Sequence, residues 1–159
     1  PERYIETYWS RWPGWWNHGD WASVDEDGCW FVHGRADESM NVAGRKVGPA
    51  EVEDAMIEHP AVSEAAVIGV PDELKGEGIV VFVVMKPHVA DTADLEQLLS
   101  KHLIDSLGPT FKPQAVRVVR ELPKTQSGKI VRRLLRQKYL GEALGDLSTV
   151  ENPHALESL

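Results

Sequence analysis

Residues 49–85 read PAEVEDAMIEHPAVSEAAVIGVPDELKGEGIVVFVVM, and the order of patterns within them decides the fold. Pro49 suits the first turn of a helix, where its missing N–H would have no intrahelical partner. Val52, Ala55, Met56 and His59 then recur at helical spacing until Pro60 stops the element. Two apolar stretches follow, at 65–70 and 79–85, rich in Val and Ile and too short for helices. They predict two strands joined by a loop over 71–78. The second stretch holds seven consecutive apolar residues, the longest such run in the chain. It reads as a buried strand and falls far short of the roughly 20 residues that span a bilayer.

Toward the C-terminus, Leu95, Leu98, Leu99 and Leu103 share one face of a helix predicted over 94–107, with Asp91 or Thr92 near its start. A strand over 115–119 precedes a basic amphipathic helix from Ile130, which turns Ile130, Val131, Leu134 and Leu135 inward and takes Ser127 as its cap. Toward the N-terminus, Asp25-Glu26-Asp27-Gly28 predicts a hairpin turn between strands at 21–24 and 29–33. A second hairpin runs from 39–43 through Gly44 to Lys46-Val47. The fold class is therefore α+β over 38–140: a small mixed sheet flanked by about three helices, plus a short hairpin. The last twenty residues are expected to be loosely held.

All six tryptophans, Trp9, Trp12, Trp15, Trp16, Trp21 and Trp30, fall in the first 30 residues, with little other apolar sequence to cover them. Residues 1–36 are accordingly expected to be the end of a larger domain. The 159 residues, 42% of them hydrophobic, suffice for one sizeable core. Net charge is −8, unevenly spread: 112–138 carries nine basic and one acidic side chain, whereas 1–111 carries eight and twenty. Such a basic stretch suits a phosphorylated metabolite, a nucleic acid, or simply a solvated helix face. The single cysteine, Cys29, cannot form an internal disulfide and is read as packing; with no secretory leader pattern, a reducing cytoplasm is the expected compartment.

Pro123-Lys124-Thr125-Gln126-Ser127-Gly128-Lys129 places a long primary ammonium beside a turn. At neutral pH an ordinary lysine is a cation that steadies phosphate or carboxylate oxygens, not a proton acceptor. The stretch is no P-loop, because Ile130 follows Gly128-Lys129 where Ser or Thr is needed. The histidines at 18, 33, 59, 88, 102 and 154 show no zinc spacing, and no nucleophile-elbow pattern occurs, so no metal ligands are assigned. Asp20, after Gly19, is either a carboxylate for both hydroxyls of a ribose or an ordinary turn residue. Arg35, in Gly34-Arg35-Ala36-Asp37-Glu38, is either a phosphate grip beside a polar hinge or half of a surface ion pair.

Taken in order, Gly19-Asp20, Gly34-Arg35-Ala36-Asp37, Asn41-Val42-Ala43-Gly44-Arg45-Lys46-Val47-Gly48 with Glu51-Val52-Glu53, and 123–129 resemble the adenylate-forming superfamily and, within it, the AMP-forming acyl-CoA synthetases. The ending Gly145-Asp146-Leu147-Ser148-Thr149 is most similar to the acetyl-CoA synthetase group and its short-chain relatives. The resemblance implies that 1–36 ends a large N-terminal, adenylate-binding domain. It makes Asp37 the hinge, 38–140 the mobile C-terminal domain, and 141–159 a tail.

It also implies a two-step reaction. A short carboxylic acid attacks ATP, carried with Mg2+, to give an acyl-adenylate and pyrophosphate, and the thiol of CoA then displaces AMP. Lys129 matches the catalytic lysine of the first step, Asp20 the ribose-binding aspartate and Arg35 the nucleotide-contacting arginine. Ala43 and Gly44 match the backbone that lies along the pantetheine of CoA. Lys46 stands where short-chain members place a phosphate-binding arginine, which leaves that role to Lys46 or Arg45. The family adds a lysine acyltransferase and deacylase as expected partners, acting on Lys129. It makes the ATP and acid pockets properties of the N-terminal domain, so this chain alone is expected to be inactive. Two other readings remain at this level: a domain that loads a carrier-protein thiol, and a nucleic-acid-binding module built on 112–138.

Overall fold

In the computed structural model, which describes residues 2–87, 89 and 94–159, the 49–85 stretch forms the centre of a three-layer domain. Helix α2 (Pro49–Ile57) leads into strands β5 (Val62–Asp72) and β6 (Gly76–Met85), which pair antiparallel from Val62↔Met85 to Asp72↔Gly76. Both strands are longer than their apolar cores suggest. The ladder continues through Pro71 and Asp72, shrinking the expected loop to residues 73–75, because Asp72 closes the turn with its side chain. Its Oδ1 accepts the N–H groups of Leu74 and Lys75 at 2.9 and 2.8 Å.

Successive side chains along a strand point to opposite faces, and here both faces are covered. Ala65, Val67, Ile79, Val81 and Val83 meet Val52, Ala55 and Met56 of α2, together with Leu95, Leu99 and Leu103 of α3 (Leu95–Leu107) and Phe111. Their neighbours Ala66, Ile68, Val70, Val80 and Phe82 pack with Val119, Leu122 and Leu135, the last from α4 (Arg132–Leu140). Strand β7 (Ala115–Val118) runs parallel to β6, while the hairpin β3 (Met40–Val42) and β4 (Arg45–Val47) joins it through Val42↔Gly76. The result is a five-stranded mixed sheet, as the sequence predicts. Strands β1 (Asp20–Val24) and β2 (Trp30–Arg35) form a separate two-stranded sheet, preceded by a helix, α1 (Glu2–Tyr8), that the sequence pattern did not announce.

Several local expectations are corrected. The closing helix starts at Arg132, so Ile130 and Val131 are only half-buried, and Val131 stands at its cap position with no side-chain cap bond. Ser127 does not cap it; its hydroxyl pairs with Thr125 Oγ1 at 3.0 Å inside the preceding turn. Leu98 is 54% exposed, off the inward face of α3. Asp91 and Thr92, expected near the start of that helix, lie outside the described residues. Cys29 is exposed rather than packed. The C-terminal residues are not loose: Ala155 and Leu156 are buried, and Val150 bridges Thr125. Trp9, Trp12, Trp15, Trp16, Trp21 and Trp30 are all exposed, although Trp16 stacks on Tyr8 with ring centroids 5.7 Å apart.

One charged group enters the core. Glu53 of α2, 7% exposed, accepts two bonds from Arg132, Nε to Oε1 and Nη2 to Oε2, both at 2.8 Å, and a third from the Val67 N–H at 2.9 Å. Arg132 Nη1 also donates to Glu38 at 2.9 Å. A forked guanidinium matches a carboxylate in this geometry, and the hydrogen bond to Glu53 raises the Arg132 pKa further above its ordinary range. The bond thus ties α4 across the edge of the sheet to α2, and to the segment that precedes β3.

Two outcomes follow from this packing. Leu99, fully buried, should cost about 2–5 kcal/mol when changed to Ala, whereas Leu98→Ala should stay within about 0.5 kcal/mol, as measured by urea unfolding of the chain. His59 at the end of α2 faces His102 at 5.0 Å; burial, then the charges of His102 and Lys86, lower its pKa from 6.5. The folded state therefore binds this proton less readily than the unfolded chain, so His59 makes stability fall with acidity from about pH 6.5 down to the lowered folded value, with no further loss below it. The unfolding midpoint should drop over that window, and His59→Asn should flatten the drop.

Candidate functional site

The mouth of the β1–β2 hairpin gathers three of the residues singled out above. Gly19 adopts φ +85°, and a Cβ there would stand 3.0 Å from Arg35 Nη2, so glycine lets the guanidinium lie against the backbone. Arg35 Nη1 donates to the His18 carbonyl at 3.2 Å and lies 3.7 Å from Asp20 Oδ1, while Nε donates to Asp37 Oδ1 at 3.1 Å. His18 Nδ1 pairs with the other Asp20 oxygen. The Asp37 hydrogen bond raises the Arg35 pKa above its ordinary range. Arg35 is half-exposed and Asp20 partly buried, which leaves both accessible to a ligand. Asp37 sits directly on this cluster, and Glu38, next in the chain, is held by Arg132.

The hairpin β3–β4 closes in two residues, Ala43 and Gly44, at φ +51° and +82°. Consecutive left-handed residues are the mark of a type I′ turn, whose twist matches the flanking strands. Ala43 bears that conformation despite its side chain, with its N–H bonded to the Lys75 carbonyl at 2.9 Å. A Cβ on Gly44 would meet nothing within 4 Å, so the tip presents bare backbone. The two cations after the turn behave differently. Arg45 is engaged, with Nη2 2.8 Å from Glu51 Oε1 and its guanidinium 4.9 Å above the Phe111 ring. Lys46 sits 5.3 Å over the Trp21 ring and lines an open cleft of ≈ 430 Å³ with Trp21, His33, Glu51 and Asp54.

Lys129 lies in a third place, and no contact among the described residues links it to Asp20 or Arg35. Its turn is rigid: Thr125 N–H donates to the Lys129 carbonyl at 2.9 Å, Gly128 N–H to the Thr125 carbonyl at 2.8 Å, and Lys129 N–H to Thr125 Oγ1 at 3.2 Å. Gly128 supplies the left-handed φ of +77° that this closure requires. The Lys129 side chain is exposed, and its ammonium has no hydrogen bond or ion pair among the described residues. Four other cations of the basic stretch are engaged within the fold. Lys124 pairs with Glu64 at 2.6 Å, Arg132 with Glu38 and Glu53, Arg133 with the Leu144 and Asp146 carbonyls, and Arg136 with the Gly69 carbonyl. Among the described residues no group of three or more His, Cys, Asp and Glu side chains could hold a metal, and no helix is long and apolar enough to cross a membrane.

Sequence reasoning assigned no role to Glu53, Glu38 and Arg132, although Glu38 and Glu53 stood inside motifs it quoted. It missed Asn152 altogether, whose side chain bonds the backbone of Leu122 and Lys124.

A small three-layer mixed domain with a backbone-tipped hairpin and a lysine turn is the C-terminal domain of an AMP-binding enzyme: residues 51–129 match the family described as "AMP-binding enzyme C-terminal domain". Residues 51–129 belong to that family, and the chain as a whole aligns with the C-terminal portion of AMP-forming acyl-CoA ligases. Among its relatives are acetyl-coenzyme A synthetases of Methanothrix thermoacetophila, 46% identical over 100% of this chain and 25% of that protein, and of Pyrobaculum arsenaticum, 50% identical over 99% and 23%. The 3-hydroxypropionyl-coenzyme A synthetase of Metallosphaera sedula is 42% identical over 99% and 24%. Among solved structures, an acyl-CoA synthetase of Brucella canis superposes with a TM-score of 0.63 at 40% identity, covering 80% of this chain and 24% of that one. ATP-bound MatB from Rhodopseudomonas palustris superposes at 0.72 and 29%, covering 87% and 27%. The chain thus spans about a quarter of the length of the relatives it matches.

The open tip of the hairpin makes one clean test. Since nothing crowds a Cβ at Gly44, Gly44→Ala should cost only the torsional strain of a left-handed residue, about 1–2 kcal/mol in chemical denaturation.

Proposed function

We propose that this chain serves as the C-terminal part of an acyl-CoA ligase that activates a short carboxylic acid, acetate foremost, and passes the acyl group to CoA. In the first step a carboxylate oxygen attacks the α-phosphorus of ATP, supplied with Mg2+, and the bond to pyrophosphate breaks. In the second step the sulfur of CoA attacks the acyl carbon, its proton is lost, and AMP departs. The observation that carries this reading is the uncommitted Lys129 ammonium on a hydrogen-bonded turn, within a domain of this family. A charge held in place before reaction costs no reorganisation when negative charge shifts between acid and phosphate oxygens.

The other residues take the roles their surroundings allow. Asp20 receives the ribose hydroxyls, and Arg35, aligned by Asp37 and the His18 carbonyl, meets phosphate. With Arg45 bound to Glu51, Lys46 is the cation of the hairpin that serves the nucleotide. Ala43 and Gly44 offer side-chain-poor backbone to pantetheine. Asp37 is the hinge between residues 1–36, which complete an adenylate-binding domain, and the mobile unit 38–140, followed by the tail 141–159. Rotation about it presents Lys129 in one step and the hairpin in the other. The exposed Lys129 is open to an acyltransferase and a deacylase, and losing its charge would stop the first step. A reducing cytoplasm suits a chain whose one cysteine is exposed.

The test is acid-dependent ATP–pyrophosphate exchange in the complete ligase across a panel of short carboxylic acids. Exchange with acetate should fall by roughly two to three orders of magnitude in Lys129→Ala and in the acyl-lysine mimic Lys129→Gln. Gly44→Val should depress thioester formation more than exchange. Exchange indifferent to Lys129 would refute the assignment.

A further inference from the structure

The Lys129 turn does not stand alone: the C-terminal tail supplies it with an outer strand. Lys124 bridges Ile130 within the turn, and Thr125 bridges Val150 of the tail, so residues 123–125 lie between 129–131 and 150–152. Asn152 secures this arrangement with its whole carboxamide. Its Oδ1 accepts the Lys124 N–H at 2.8 Å, and its Nδ2 donates to the Leu122 carbonyl and to Glu121 Oε2, both at 2.9 Å. A backbone donor on one side and a carbonyl on the other admit only one orientation of the amide. Glu151 N–H donates to the Lys124 carbonyl at 2.9 Å, and the other Glu121 oxygen pairs with His154 Nε2 at 2.6 Å. Buried Ala155 and Leu156 anchor the tail behind it.

We infer that Asn152 is a positioning residue for Lys129. By holding the backbone on both sides of Pro123, at the Leu122 carbonyl and the Lys124 N–H, it sets where the turn stands and so where the ammonium points, without touching substrate. This rests on the reading of Lys129 as the cation of the adenylation step. It assigns the tail a task in that step and none in thioester formation, which uses the hairpin on another part of the domain.

The experiment measures the two half-reactions separately in the complete ligase: ATP–pyrophosphate exchange with acetate, and thioester formation from supplied acetyl-adenylate and CoA. In Asn152→Ala, kcat for exchange should fall roughly ten- to a hundredfold with KM for ATP unchanged, while thioester formation is retained, because a displaced catalytic group loses rate more than affinity. Glu121→Gln, which keeps an oxygen to accept from Asn152 Nδ2, should leave exchange near wild type, whereas Asn152→Asp, which sets an oxygen against the Leu122 carbonyl, should lose it as Asn152→Ala does. Equal losses in both half-reactions, or no loss in either while Lys129→Ala abolishes exchange, would overturn the inference alone. Normal exchange in Lys129→Ala would overturn the functional reading with it.

Discussion

The domain depends on the pairing of β5 with β6. Over 65–70 and 79–83 each strand is buried on both faces, so the residues there answer to one of two cores, and slipping the register by one would exchange the two sets of side chains. Fully burying a Val, Ile or Phe is worth about 1.5–3 kcal/mol, and this ladder contributes such side chains to α2 and α3 on one side and α4 on the other. Everything else in the module is placed relative to it: β7 lies along β6, the β3–β4 hairpin joins at its first residue, and the Lys129 turn leads into the helix that covers its second face.

The Arg132–Glu53 fork adds a directional constraint to this non-directional packing. An ion pair so far out of water contributes little net stability, since desolvation offsets the attraction. Its geometric demand is strict, however: two parallel bonds at 2.8 Å, a third from the Val67 N–H, and a branch to Glu38 admit only one placement of α4 against α2. Glu38 adjoins Asp37, which meets Arg35. A continuous set of charged contacts therefore runs from the β1–β2 hairpin to the start of the helix that follows the lysine turn. The Arg132 end of this set belongs to the core, whereas the Arg35 end lies on the separate β1–β2 sheet.

The candidate site is built from backbone as much as from side chains. Gly19 makes room for Arg35, Gly128 closes the lysine turn, and Ala43-Gly44 leave the hairpin tip bare. Hydrogen-bonded turns of this kind place a group with few buried contacts. The basic stretch shows a complementary contrast: Lys124, Arg132, Arg133 and Arg136 are tied to carboxylates or carbonyls, whereas the Lys129 ammonium has no partner among the described residues.

Much of this was legible in the chain because it depends on local rules. The Pro49 helix start, the apolar runs of β5 and β6, the Asp25–Gly28 turn and the Lys129 turn each follow from residues adjacent in sequence, and the motifs singled out Asp20, Arg35, Asp37 and Lys129 as candidates. The strand ends at Asp72 and Gly76, the late start of α4 and the exposure of Leu98 were not legible, because a distant partner decided each of them. Glu53 looked like any polar helix residue until Arg132, 79 positions away, closed on it. Asn152 sat in a stretch read as loose until it met Lys124, 28 positions upstream. By itself the sequence determined most of the elements and singled out the candidate groups of the site, since periodicity and residue chemistry act over a few positions. Only the tertiary structure decided which charges, such as those of Glu53 and Arg132, are spent on the fold, because a charge is paired by whatever the packed chain brings within about 3 Å of it.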